Sequence, residues 1–238
     1  MKAMILAAGL GTRLKPFTDK HPKALAEVNG KTLLQRNIEY LQSFGIKNVI
    51  VNVHHFAQQI IDTIEKNNGW KSNISISDET DQVLETGGGL KRAEWFFAGE
   101  ENFVLMNVDI LTDMKLNEMI AFHKKEKPLA TLAVTNRETS RYFLFDENEN
   151  LRGWENVKTG EIKIAGRNES LSQKAFSGIH VINSKIFSLM KQEGKFSIVD
   201  VYLNLLKDNI IKGFDHSASK LIDVGKPENI LKAEKMFA

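Results

Sequence analysis

Two hydrophobic periods alternate along the chain. Short apolar runs suited to buried strands occur at Lys2–Ala8, at "NVIVNV" (48–53), at "ISIS" (74–77) and at "FVLMNV" (103–108). Between them the apolar residues recur at helical spacing. Leu34, Ile38 and Leu41 define one face after Thr32, a residue type that caps helix N-termini, and Gly45 stands where such a helix would close. Ile60, Ile61 and Ile64 predict a second helix over 56–67, and Met119, Ile120 and Phe122 another near 116–126. The glycines at 87–89 read as a turn that opens a helix carrying Leu90, Ala93 and Phe97. This strand–helix alternation predicts a parallel sheet covered by helices on both faces.

From about residue 129 the pattern changes. "LATLAV", "YFLF", "LRGW" and "FSGIHVI" read as strands with short connections, a more antiparallel extension of the sheet. Helical spacing returns at 184–191, 197–207 and 227–237. The expectation is an α/β fold of three layers, αβα, with a mostly parallel (mixed) sheet and a small peripheral β element. It is read as a single domain over 1–238, with a first half at 1–128 and a second at 129–238.

Composition narrows the classes. Lys and Arg number 32 against 30 Asp and Glu, a net charge of +2, which argues against a general nucleic-acid or membrane surface. There are 0 cysteines, so disulfides, thiolate metal sites and a cysteine nucleophile are excluded. The apolar run Met4–Ala8 before Gly9 is shorter than the roughly seven residues of a signal-peptide core. Cytoplasmic residence, with neither a nucleic-acid nor a membrane partner, is the expectation.

"MILAAGLGTRLKP" (4–16) places Gly9-Leu10-Gly11 directly after the first strand. A dinucleotide fingerprint needs a third glycine at position 14, which is Leu; a P-loop needs Lys-Ser/Thr after its last glycine, and Gly11 is followed by Thr12-Arg13. What remains is a glycine-relaxed turn at the C-terminal end of a strand, where open α/β sheets bind ligands. Its main-chain N–H groups can face phosphates, with Arg13 as a cationic fork and Lys23 held beside Pro22. Taken alone, the loop reads equally well as a turn with two solvated cations.

The longer string "LAAGLGTRLKPFTDKHPKALAEVNGKTLL" resembles the signature of the sugar-1-phosphate nucleotidyltransferases, approximately L-A-A-G-x-G-x-R-[LM]-x-P-[LF]-T-x-x-x-P-K, at every defined position. "LETGGGL" (84–90), "LMNVDI" (105–110), "FSGIHVI" (176–182) and "LIDVGKPENIL" (221–231) resemble later segments of the family in the same order, so the resemblance covers essentially the whole chain. Within the family, "ETGGG" and "NVD" look most like the N-acetylmuramate α-1-phosphate uridylyltransferases, with mannose- and heptose-1-phosphate guanylyltransferases near. The resemblance implies a Rossmann-like nucleotidyltransferase fold. It also implies attack of a sugar 1-phosphate on the α-phosphorus of an NTP, releasing pyrophosphate.

Two anions must meet in such a reaction, so charge neutralisation and in-line positioning should supply most of the catalysis. Asp109 and Asp223 each follow apolar strand residues, as strand-end carboxylates would in a Mg²⁺ site, although a lone aspartate there can equally cap a turn or helix. By resemblance these two hold Mg²⁺, while Arg13, Lys23 and Asp109 are the catalytic groups. The nucleotide is expected against Ala7, Ala8, Gly9, Gly11, Thr12, Arg13 and Lys23, with the base near Glu79, Glu85 and Gly88. The sugar is expected against Asn107, Glu155 and Gly178, with Trp154 either stacking on a sugar face or filling the core. Asn156 stands where larger family members carry a lysine after that glutamate, with Lys158 the nearest replacement. His54 and His55 follow a strand and read as structural, and Lys124, Lys125 and Lys127 as a solvated helix end. The leading reading is an enzyme taking an NTP and a sugar 1-phosphate. UTP with N-acetylmuramate 1-phosphate or a similar hexosamine 1-phosphate is favoured over GTP with mannose- or heptose-1-phosphate. A catalytically silent nucleotide sensor is the reading from a different class.

Overall fold

In the computed structural model of the chain, which describes residues 1–165 and 170–238, strands and helices alternate through the first half. They run β1 (Ala3–Leu6), the small hairpin β2 (Glu27–Val28) and β3 (Lys31–Thr32), α1 (Leu33–Ser43), β4 (Asn48–Val53), α2 (Ala57–Lys66), β5 (Asn73–Asp78), α3 (Glu85–Arg92), β6 (Asn102–Asn107), β7 (Ile110–Thr112) and α4 (Leu116–Glu126). The second half continues with β8 (Ala130–Thr135), β9 (Arg141–Phe145), β10 (Leu151–Asn156), β11 (Glu161–Ile164), β12 (Ser172–Asn183), α5 (Ile186–Leu189), α6 (Ile198–Leu205), β13 (Ile211–Asp215), β14 (Leu221–Asp223) and α7 (Pro227–Met236).

β6, β1, β4 and β5 lie side by side and parallel. β1, β4 and β6 are mostly apolar on both faces because helices cover both, whereas β5, at the sheet edge, alternates Ile74 and Ile76 with Ser75 and Ser77. α1, α2, α4 and α7 pack one face through Ile38, Ile60, Met119 and Ala233. α3, α5 and α6 pack the other through Leu90, Ile186 and Tyr202. This is the expected three-layer α/β sandwich. The ends of α1 follow from two local rules. Thr32 accepts from the Gln35 N–H at 3.1 Å, and past the last turn Gly45, at φ 78°, lets its N–H reach the Gln42 carbonyl and the Ile46 N–H the Leu41 carbonyl.

β12 joins the halves. Ile179–Asn183 pair antiparallel with β6, and its outer edge pairs with β8, itself parallel to β13. Its first residues, Ser172–Lys174, pair instead with β9, from which β10 and β11 extend as the antiparallel element expected from the sequence. The strand bends between Phe176 and His180, where the register shifts and Gly178 takes φ 73°. β7 and β14 form a separate two-stranded ribbon beside the C-terminal end of β6.

Three expectations are corrected. The glycines at 87–89 lie inside α3 rather than in a turn before it, and Phe97 belongs to the short turn Glu94–Phe97. No larger residue would fit there: a Cβ on Gly87 would meet the Phe196 ring at 2.5 Å, on Gly88 the Gly194 carbonyl at 2.2 Å, and on Gly89 a Glu79 oxygen at 2.6 Å. Packing therefore overrides the poor helix propensity of glycine. The helix expected over 184–191 shrinks to α5, Ile186–Leu189, and that over 197–207 to α6, Ile198–Leu205.

Candidate active site

The C-terminal ends of β1, β4, β5 and β6 open onto a cleft of about 370 Å³. Ala8, Gly9, Lys23, Glu79, Glu85, Asn107 and Asp109 line it, all expected from the sequence, together with Asn52, Thr86 and Ser197, which were not. The turn after β1 is shaped by Gly11. At φ 62° it lets the chain double back, so that the Leu14 N–H and the Thr18 hydroxyl both donate to its carbonyl, at 2.8 and 3.0 Å. A Cβ there would meet Thr18 at 2.9 Å and Lys23 at 3.0 Å. The loop thereby returns to place Lys23 beneath itself.

Lys23 Nζ donates to Asp109 Oδ2 at 2.6 Å, with both side chains largely shielded. Asp109 is held from below by Asn37, buried in α1, whose Nδ2 donates to the neighbouring Val108 carbonyl at 2.8 Å. Asp223 closes β14 opposite Ile110, and the Val224 N–H donates to the Asp109 carbonyl at 2.8 Å. The ribbon thus brings the two expected metal-ligand carboxylates onto adjoining backbone. Asp223 Oδ1 accepts from the Gly225 N–H at 2.7 Å, and its Oδ2 lies 3.7 Å from Arg13 Nη2, an exposed and therefore weak contact. Asp223 and Arg13 both crowd the position a Gly225 Cβ would take.

Asn52 ties the cleft floor together. Its Oδ1 accepts from the Ala7 N–H at 2.7 Å and the Ala8 N–H at 3.3 Å, while its Nδ2 donates to Glu79 Oε1 at 2.7 Å. The other Glu79 oxygen accepts from the Leu84 N–H at 3.2 Å. Glu79 is fully buried, and desolvation raises its pKa above the usual carboxylate value despite those donors. Both its oxygens are engaged, so it supports the pocket wall from behind. His54 Nδ1 meets the Glu79 carbonyl at 2.6 Å, the structural use expected for it. In the sequence Asn52 is an amide inside the largely apolar run 48–53, and such a group, once buried, must have polar partners.

Glu85 begins α3 at φ 60°, uncommon for a residue with a side chain. Gly88, expected near the base, packs against the loop at 194–197, whose Phe196 carbonyl accepts from the Gly87 and Gly88 N–H groups at 2.9 and 3.2 Å. Thr12 and Arg13 sit in the short turn Thr12–Leu14 and do not themselves line the cleft. A Cβ on Gly178 would meet Asn107 Nδ2 at 2.9 Å, so glycine there lets Asn107 keep its place. Trp154 lines a second cavity of about 430 Å³, while the adjacent Glu155 carboxylate accepts from Gln173.

An open α/β sheet with a glycine turn, a shielded lysine–carboxylate pair and two adjoining carboxylates at its C-terminal edge defines a nucleotide-handling site, and the chain belongs to the Nucleotidyl transferase family, whose model matches residues 2–238. Similar proteins include an N-acetylmuramate alpha-1-phosphate uridylyltransferase of Caulobacter vibrioides, 30% identical over 99% of this chain and 96% of that protein. A mannose-1-phosphate guanyltransferase of Yarrowia lipolytica is 27% identical over 100% of this chain, which spans 64% of that relative's length. Among solved structures, HddC from Yersinia pseudotuberculosis complexed with GMP-PN superposes with a TM-score of 0.77 at 26% identity, covering 100% of this chain and 99% of that one. A UDP-glucose pyrophosphorylase from Acinetobacter baumanii shares the fold with a TM-score of 0.80 at 18% identity, over 99% of this chain and 92% of that one. Among the described residues no helix is long and apolar enough to cross a membrane.

Proposed function

We propose that the protein transfers a nucleotidyl group from an NTP to a sugar 1-phosphate, yielding an NDP-sugar and pyrophosphate. UTP with N-acetylmuramate α-1-phosphate or a similar hexosamine 1-phosphate is the favoured pair. The observation that carries this reading is the shielded Lys23–Asp109 pair at 2.6 Å in a cleft walled by the glycine turn, with Asp223 on adjoining backbone. In the reaction an oxygen of the sugar phosphate bonds to the α-phosphorus as the bond to the pyrophosphate oxygen breaks. Lys23 and Arg13 offset charge accumulating on the α-phosphate and on the departing pyrophosphate. The main chain at Gly9, Gly11 and Thr12 supplies N–H donors that orient the phosphates. No covalent enzyme intermediate is required.

The donor set fits magnesium. Asp109 and Asp223 are hard oxygen ligands on adjoining backbone, and Mg²⁺ is commonly held by one or two carboxylates plus substrate phosphates and water. Bound there, Mg²⁺ would neutralise phosphate charge as a Lewis acid. GTP with mannose- or heptose-1-phosphate is the second reading, favoured by the likeness to the GMP-PN complex. The test is pyrophosphate release from a panel of NTPs and sugar 1-phosphates, with and without Mg²⁺, beside Asp109→Asn. Turnover of one pair, lost in the variant, supports the enzyme. Nucleotide binding without turnover of any pair supports a sensor.

A further inference from the structure

The second cavity opens beside the reaction cleft, and Ser197 lines both. Phe176 in its wall lies two positions before Gly178, whose Cβ position abuts Asn107 of the cleft lining. Phe143, Trp154 and Phe176 give it an aromatic side, suited to the C–H face of a sugar ring. Its charge is one-sided. Of its three cations, Lys163 lies 3.1 Å from Asp200, the cavity's one carboxylate. Arg137 donates from Nη2 to the Phe176 main-chain carbonyl at 2.8 Å, which fixes the guanidinium without neutralising it. Among the described residues neither Arg137 nor Arg141 has a carboxylate within 4.0 Å. Partial desolvation by the cavity wall lowers the Arg137 pKa below the usual arginine value, with Asp223 acting in the opposite sense. Two guanidiniums without a direct salt bridge, beside an aromatic wall, are a receptor for a planar anion.

The substrate's 1-phosphate must reach the Lys23–Asp109 end, where the α-phosphorus is to be attacked. A sugar laid in the second cavity rests against its aromatic side, with Arg137 and Arg141 among the residues that line it. Resting on the nucleotidyltransferase reading above, we infer that the acceptor is an acidic sugar, and that Arg137 and Arg141 bind a carboxylate it carries in addition to its 1-phosphate. A neutral hexose 1-phosphate leaves both charges unanswered. Specificity arises because the pocket is left with unpaired cations when the acid is absent.

The test compares N-acetylmuramate 1-phosphate with N-acetylglucosamine 1-phosphate, which differ only in a lactyl ether. Both kcat/KM and equilibrium binding in the presence of a non-hydrolysable NTP are measured for wild type, Arg137→Gln, Arg141→Gln and the double variant. The expected wild-type preference for the acid is at least 10-fold, and the double variant loses most of it. Arg137→Lys and Arg141→Lys keep the charge and retain most of the preference, so the test remains readable if a glutamine variant fails to fold. A wild-type preference for the neutral sugar, or a preference that survives in the double variant, overturns the inference. So does a parallel loss for both sugars, which would assign the arginines to the shared phosphate. Acid-selective binding without turnover would overturn the catalytic reading while leaving the acid-binding pocket standing.

Discussion

Asn52 is the least replaceable side chain of the cleft floor, and its removal is open to quantitative test. Asn52→Ala strips an acceptor from the Ala7 N–H and a donor from Glu79 Oε1, both at 2.7 Å, and ends the longer 3.3 Å contact to Ala8. A buried polar group left without a partner costs about 1–3 kcal/mol. Because Asn52 borders the open cleft, water can enter, and the lower part of that range applies to each group, giving about 2–4 kcal/mol in total. At about 2–4 °C per kcal/mol for a chain of this size, the melting temperature should fall by about 4–16 °C. The loss should also be felt in ligand binding, because the two N–H groups released belong to the strand end that leads into the glycine turn. Nucleotide affinity is expected to drop at least roughly tenfold, the equivalent of about 1.4 kcal/mol. Scanning calorimetry and titration with a non-hydrolysable NTP measure both. Asn52→Asp serves as an internal control: it keeps the acceptor for Ala7 but sets a carboxylate against Glu79, so the pair holds a proton more tightly when folded. Its stability should therefore rise as pH falls toward the carboxylate range. A melting change below about 2 °C in Asn52→Ala, with unaltered nucleotide affinity, would refute the reasoning.

Further expectations follow from other parts of the molecule. Asp109→Asn should lower kcat at least about 100-fold while leaving the fold intact, since an amide oxygen can still accept from Lys23; steady-state kinetics beside a circular-dichroism melt decide this. Gly178→Ala should cost about 1–3 kcal/mol, because a Cβ at φ 73° would also press on Ile110 at 2.8 Å and Asn107 at 2.9 Å; urea unfolding, with the sugar-phosphate KM as companion, checks it. Burial pulls His123 down to about 4 and His180 to about 3, so below pH ~6.5 the unfolded chain takes up protons that the folded chain refuses. Stability is then lost as pH falls from ~6.5 toward those values, on the order of 3–5 kcal/mol per histidine, and equal urea midpoints at pH ~7 and ~4.5 would contradict it.

The nucleotide side of the site was legible because its determinants are local. A strand, two glycines, a cation and a proline-held lysine occupy one continuous stretch, and Asp109 and Asp223 each announce themselves by ending an apolar run. What escaped notice depends on partners distant in sequence. Gly87–Gly89 look like a turn until Phe196 and Gly194 are seen to occupy the space their side chains would need. The ribbon of β7 and β14 consists of strands of 3 residues each, too short for any periodicity to register. Arg137 sits in a polar connection between β8 and β9 where any charge reads as solvated. Only the fold shows that Arg137 lines the second cavity and donates to the Phe176 carbonyl of β12.

α3 also constrains the order in which the protein can mature. Glu85 and Thr86 open it and are followed by three glycines, and the N–H groups of Gly87 and Gly88 are satisfied by a carbonyl more than 100 residues downstream, at Phe196. During synthesis the parallel strands β1, β4, β5 and β6 are available early, but one wall of the nucleotide cleft has no template until the loop at 194–197 arrives. We expect a nascent chain released at residue 128 to form much of the central sheet yet fail to bind NTP. Closure of this cleft wall is thereby coupled to synthesis of the second half of the chain, because α3 packs on the loop at 194–197.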